Sequence, residues 1–316
     1  MQRAVFVAGS AALTGLPFPA LGQTTPHLVV GTSAVDGGLS PLVAARGGFF
    51  KKYGLDVEVR ATQSGAASSA AIIGGTLNIG ATNILGLINA HVKGLPFQII
   101  APQGMYLSEK ASQLIIVRKD STVRTGADLN GKTISSAALG DLMALATLLW
   151  IDQHGGDSST VQRIELSPAA TLAALESGRI DAAGLTQPHL SEALRSGNVR
   201  PIGKVYDAIG KRFLLTAMIT TATFAGDNRD IVERYAHAQI EANGYANRHH
   251  DVTAQWLADF AKVDVTVIQR SPREIFAETL DPAMIQPAID AAARYNVIPK
   301  SFDARDLISP IVAGIR

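Results

Sequence analysis

Four helical patterns in this chain stop on glycine, and a short β-rich run follows each stop. "SPLVAAR" halts at Gly47-Gly48 and passes through a basic knuckle into "LDVEVR". "TQSGAASSAAIIGG" leads to "LNIGATN", "ILGLINAHVKG" to "PFQIIAP", and "GDLMALATLLWIDQHGG" to "VQRIELSP". Glycine ends a helix at little steric cost, because it lacks the Cβ that opposes the left-handed conformation. Helices alternating with strands in this way predict an α/β chain in layers, with helices covering largely parallel sheets.

The alternation falls into two modules and a tail. The first opens with the strand "HLVVGTS", the loop "AVDGGL" and a helix with Ser40 as N-cap and Pro41 in its first turn. A second module starts near Gln113 with "QLIIVRKD" and runs through the strand "VRPIGKVY". "FLLTAMITTATFAG" reads as one long β-rich segment, and beyond Asn228 the pattern is helical, "PREIFAETL" included. The expected boundaries are 1–22 as a leader, 23–115 as the first part of lobe 1, 116–215 as lobe 2, and 216–316 as a return whose helical tail packs on lobe 1. The chain then crosses between modules twice, near Leu114–Val117 and Leu215–Thr220. Two extended connectors make a hinge, and a cleft between hinged lobes is a usual place for a ligand.

Charge and composition remove several functions. The net charge is +1 with no dense run of Lys and Arg, so a nucleic-acid partner is not expected. The first residues have the layout of a secretory signal peptide: Arg3, then a short apolar run, then Ala20-Leu21-Gly22 before a cut near Gly22-Gln23. Cleavage takes away Arg3 and no acid, leaving 27 basic residues against 27 acidic. No later run is long and apolar enough to span a bilayer, so the exported mature chain is expected to be soluble, in the periplasm where the cell has an outer membrane. The chain has no Cys, so it has no disulfide, thiolate metal site or cysteine nucleophile. It also lacks the G-x-S-x-G, H-E-x-x-H and phosphate-loop patterns. No catalytic residue, metal or cofactor is expected.

"PLVAARGGFFKKYGLDVEV" resembles the helix–strand segment near the mature N-terminus of the nitrate/taurine/aliphatic-sulfonate family of ABC transporter substrate-binding proteins. "GGTLNIGATN" with "INAHVKGLPFQIIAP", "DLNGKTISSAALGD" and "ELSPAATLAALESGRIDAAGLTQP" resemble that family's following segments, in order. The resemblance implies a type II periplasmic binding fold: two lobes, two hinge crossings and a ligand between them. It further implies capture of a small molecule and delivery to a permease with its ATPase; a monomer is expected. A related fold serves as the pyrimidine synthase of thiamine biosynthesis, but that enzyme family carries a cysteine-rich motif this chain cannot have. A periplasmic sensor module is the other alternative.

Ligands in open α/β sheets sit beyond the carboxyl ends of strands, where helix N-termini offer free N–H groups. Three loops put small or hydroxyl residues there. They hold Ser33, Asp36, Gly37 and Gly38; then Gln63, Ser64 and Gly65; then Ser136, Leu139, Gly140 and Asp141. Asn83, Thr186 and Gln187 stand at further strand ends. Helix capping accounts for the same residue types. Asp36 and Asp141 disfavour an anion, so the pattern suits a zwitterionic or neutral polar solute, sulfonate/taurine-like or pyrimidine-like. Met105-Tyr106 suits an apolar wall or hinge packing. Arg248 to His250 suits a polar helix end, because adjacent histidines on a helix diverge by about 100°.

Overall fold

The computed structural model describes residues 25–187 and 189–315. The leader and its cut lie outside them. The first unit runs β1 (His27–Ser33), α1 (Ser40–Arg46), α2 (Phe49–Lys52), β2 (Asp56–Thr62), α3 (Gly65–Ile73), β3 (Ile79–Asn83), α4 (Ile84–Val92) and β4 (Phe97–Pro102). At two of the predicted stops the second glycine turns left-handed, Gly48 with φ 77° and Gly75 with φ 73°. After β5 (Gly104–Leu107) comes the second unit: β6 (Leu114–Arg118), β7 (Thr133–Ser136), α5 (Leu142–Gln153), β8 (Gln162–Glu165), α6 (Pro168–Glu176), β9 (Ala182–Leu185), α7 (His189–Arg195) and β10 (Val199–Gly203). The return is β11 (Arg212–Leu214), β12 (Thr216–Thr221), α8 (Ala222–Asp227), α9 (Arg229–Arg248), α10 (His250–Ala261), α11 (Val265–Gln269), β13 (Ile275–Phe276) and α12 (Gln286–Arg294).

Two five-stranded sheets result, β2-β1-β3-β12-β4 and β10-β6-β9-β7-β8. Each is mixed. In the first only β12 runs against the other four strands, and in the second only β6 does. Each reversed strand is the first one the chain lays down on arriving from the other unit. Helices start at the carboxyl ends of β1, β2 and β3, and again after β7, β8 and β9, so both sheets present helix N-termini.

The linking strands lie a few residues from the expected crossings. Leu114–Val117 belongs to β6, and Ile115, Ile116 and Val117 are fully buried within the second sheet. Thr216–Thr221 is likewise an interior strand of the first sheet. Runs that are apolar on both faces become central strands. The strands that join the units are β5 and β11, paired antiparallel with Tyr106 opposite Phe213. β13 pairs the other edge of β5. Tyr106, Tyr206 and Phe213 pack there with ring centres 5.4 to 5.7 Å apart.

Three local expectations are corrected. "FLLTAMITTATFAG" is not one strand: it breaks at Leu215, and Thr221 caps α8 by accepting the Phe224 N–H at 3.1 Å. "PREIFAETL" is not helical, because Ile275 and Phe276 are drawn into pairing with β5. Ser40 is the first helical residue rather than the N-cap, and its hydroxyl accepts from Gln239 Nε2 at 2.8 Å.

That last bond shows how the tail is held. α9 packs on α1, α2 and β4. Phe50 stacks on Tyr235 with centroids 5.0 Å apart. Gln239 and Asn243 are fully buried on α9, yet satisfied. Gln239 Nε2 also donates to Asn243 Oδ1, and Asn243 Nδ2 reaches the carbonyls of Pro102 (3.0 Å) and Ala277 (2.7 Å). A buried amide with every group paired stabilises modestly, whereas losing its partners is expensive.

Candidate functional site

A cavity of about 630 Å³ opens between the carboxyl ends of the two sheets. The first sheet's side is the start of α4, with Asn83, Gly86 and Asn89, together with Leu215 and Thr216 from the return. The second sheet's side is the loop from Ala137 to Met143, then Pro168, then the end of β9 from Gly184 to Thr186. Tyr206, between β10 and β11, completes it.

Each wall follows from local sequence. Asn83 caps α4, its Oδ1 accepting the Gly86 N–H at 2.7 Å, so its other side-chain atoms face outward. Asp141 caps α5 in the same way, its Oδ1 accepting the Ala144 N–H at 2.7 Å. Burial holds the Asp141 carboxyl above its ordinary value, against the downward pull of that N–H, and Glu165 adds to the rise. Tyr206 projects from a short helical turn, Val205–Ala208, edge-on to Tyr106. Burial pushes its phenol well above the usual range, and Asp141 and Glu274 add to this.

Among the expected residues, Asn83, Gly140, Asp141 and Thr186 line this cavity. Ser136 and Leu139 line a much smaller hollow in the second unit, and the Leu139 N–H donates to Glu165 Oε1 at 2.9 Å. Gln187 accepts from Ser191 Oγ at 2.6 Å, tying down the start of α7. Ser64 caps α3 by accepting the Ala67 N–H at 3.2 Å. Gln63 is exposed, and Gly65 packs on Thr82.

Ser33 ends β1, and Asp36, Gly37 and Gly38 form a single turn after it, with the Gly38 carbonyl accepting from Thr32 Oγ1 at 2.7 Å. Asp36 is engaged by the tail: Arg273 Nε donates to it at 2.8 Å, and the Glu274 N–H donates to its other oxygen. Arg46, nearer in sequence, pairs instead with Asp259 at 3.0 Å. Met105 and Tyr106 are buried in β5. Arg248 to His250 spans the junction of α9 and α10, where His249 stacks on Tyr245. Among the described residues no cluster of three His, Asp or Glu could hold a metal.

Sequence reasoning missed Tyr206, Thr216 and Glu274. Tyr206 was read as the end of a strand, and Glu274 as part of a helix. Glu274 lies half-buried beside the cleft. A Cβ placed on Gly104 would meet Thr216 Oγ1 at 2.9 Å and Glu274 Oε1 at 3.5 Å. Burial, with Asp36 nearby, pushes the Glu274 carboxyl up to about 8.

A family model described as NMT1/THI5 like matches residues 39–251. A Brucella abortus protein named as a binding protein is 26% identical over 272 residues, covering 84% of this chain and 80% of its own. The structure of the periplasmic aliphatic sulphonate binding protein SsuA from Escherichia coli superposes with a TM-score of 0.73 at 20% identity, over 90% of this chain and 92% of that one. The desulfurization enzyme DSZB superposes at 0.67 and 16% identity, over 91% and 98%. These superpositions establish a fold that serves a binding protein and an enzyme alike. No helix among the described residues is long and apolar enough to cross a membrane.

Proposed function

This chain belongs to the NMT1/THI5-like family, and from that membership we propose that it is an extracytoplasmic solute-binding protein that hands a small polar organic molecule to an ABC importer. One observation carries the reading: a cavity of about 630 Å³ is walled by two separately built sheets, joined through a narrow pair of strands. The lobes are residues 23–115 with 216–316, and 116–215. A solute touching both walls stabilises the closed arrangement because it makes its full contacts only there. The binding-protein name of the Brucella relative and the sulphonate-binding name of SsuA support this class. The enzyme reading has a shared fold behind it but no thiol to work with, since the chain has no Cys.

The test is mass spectrometry of solute released from the purified protein, followed by re-addition. A captured solute should raise the melting temperature and contract the particle in small-angle scattering. At about a hundredfold excess over Kd the stabilisation is about 2.7 kcal/mol. Chemical turnover of that solute, or binding without contraction, defeats the reading.

A further inference from the structure

The cleft's charge pattern deepens the solute-binding reading, on which this inference rests. No Lys, Arg or His lines the cavity among the described residues. Its one carboxylate, Asp141, already sits on the N-terminus of the twelve-residue α5, where a bound anion would otherwise be held. Among the described residues no basic group comes within 4.0 Å of it. Behind the facing wall, a Cβ on Gly104 would meet both Thr216 Oγ1 and Glu274 Oε1, and neither Glu274 oxygen takes part in a hydrogen bond among the described residues. Between them Tyr206, only 6% exposed, lines the cavity with a hydroxyl that has no intramolecular partner there. The lining thus offers acceptor oxygens, that of Asp141 among them, and no cationic side chain.

We propose that this cleft selects a solute presenting hydrogen-bond donors on a neutral or positive head, an amine or amidine, and rejects sulfonates and other anions, with Asp141 as the specificity-determining residue. A sulfonate seated against an ionised Asp141 would be repelled, since like charges at close range in a low-dielectric cleft interact unfavourably. An ammonium or amidinium gains from the same term. It also supplies a counter-charge to the Asp141 carboxyl, which burial holds above its ordinary value.

The experiment is calorimetric titration of the intact protein, stripped of solute, with benzamidine and benzenesulfonate, which share one ring and differ in the head group. Benzamidine is expected to bind the wild type, and benzenesulfonate to bind more weakly by at least about tenfold. Asp141→Ser keeps a capping oxygen on α5 while removing the charge. It should narrow that ratio by about tenfold, or 1.4 kcal/mol. Asp141→Asn, which likewise keeps a capping oxygen without the charge, should narrow it in the same direction, and it serves alone if the first variant misfolds. Benzenesulfonate binding the wild type as tightly as benzamidine, a ratio unmoved in both variants, or no benzamidine binding overturns the assignment. A wild type that prefers benzenesulfonate sinks the charge assignment and leaves solute capture standing. A protein that binds neither probe and releases no solute on denaturation sinks both.

Discussion

The two lobes are wound alike and finished differently. If strands are counted from the start of each five-stranded sheet's parallel run, both follow the order second, first, third, reversed, fourth. Each puts helix N-termini at the same edge. The chemistry at those edges does not repeat. Lobe 1 caps its helices with neutral side chains, Ser64 and Asn83, and its nearby acid Asp36 is neutralised by Arg273 from 237 positions downstream. Lobe 2 caps α5 with a carboxylate whose partners are backbone N–H groups. A repeated topology thus fixes where a ligand can be met, while each lobe's unrepeated caps decide what it meets.

The sharpest way to break the comparison is through the tail, which only lobe 1 has. Asn243→Ala strands two buried carbonyls and the Gln239 amide and should cost on the order of 3–4 kcal/mol in urea unfolding. Thr147→Val in lobe 2 removes one buried bond, to the Met143 carbonyl at 2.8 Å. That change should cost about 1 kcal/mol. Equal losses would erase the asymmetry.

Next in size is Glu274, with Asp36 and Tyr206 as its interacting acidic neighbours and Arg273 committed to Asp36. Its ordinary value is 4.5 and its folded value about 8. Between those values the folded protein holds a proton that the unfolded chain has released, so stability falls as pH rises. The stabilisation is complete below 4.5 and gone above about 8. The fall should be roughly 2 kcal/mol, allowing for partial exposure. Glu274→Gln should flatten that part of a melting-temperature profile between pH 5 and 9, and an unchanged slope would show that the carboxyl is not held neutral.

Smaller still is Gly184→Ala. The new methyl would come within 2.7 Å of Met143 Cγ, a flexible neighbour at the cavity wall. Repacking should cost about 1–2 kcal/mol, with a larger loss in solute affinity than Ser64→Ala causes.

The smallest effects compare the caps themselves. Ser64→Ala and Asn83→Ala should each lower stability by about 1 kcal/mol. Only Asn83→Ala should weaken solute binding, because only Asn83 lines the cavity. Equal binding losses would move the site toward α3.

Much of the frame was legible in advance. β1 matches "HLVVGTS" residue for residue, and Asn83, Gly140, Asp141 and Thr186 were marked from their places at strand ends. Strand alternation and glycine stops are local signals, set by periodicity and by the φ values a residue tolerates. The failures share a cause. Tyr206 lies on the connection between lobes, Thr216 at the start of the returning strand β12 and Glu274 in the tail, where no short-range pattern reports what a side chain will face.

By itself, then, the order of residues determined the layers, the helix ends that point at the cleft and the absence of any thiol chemistry, because each depends on neighbours a few positions away. Which acid is neutralised and which is left open was decided only by tertiary structure. Arg273 reaches Asp36 across 237 positions, while Asp141 comes to the wall of a cavity that no Lys, Arg or His lines among the described residues. Charge pairing acts through space, and only the folded chain sets those distances.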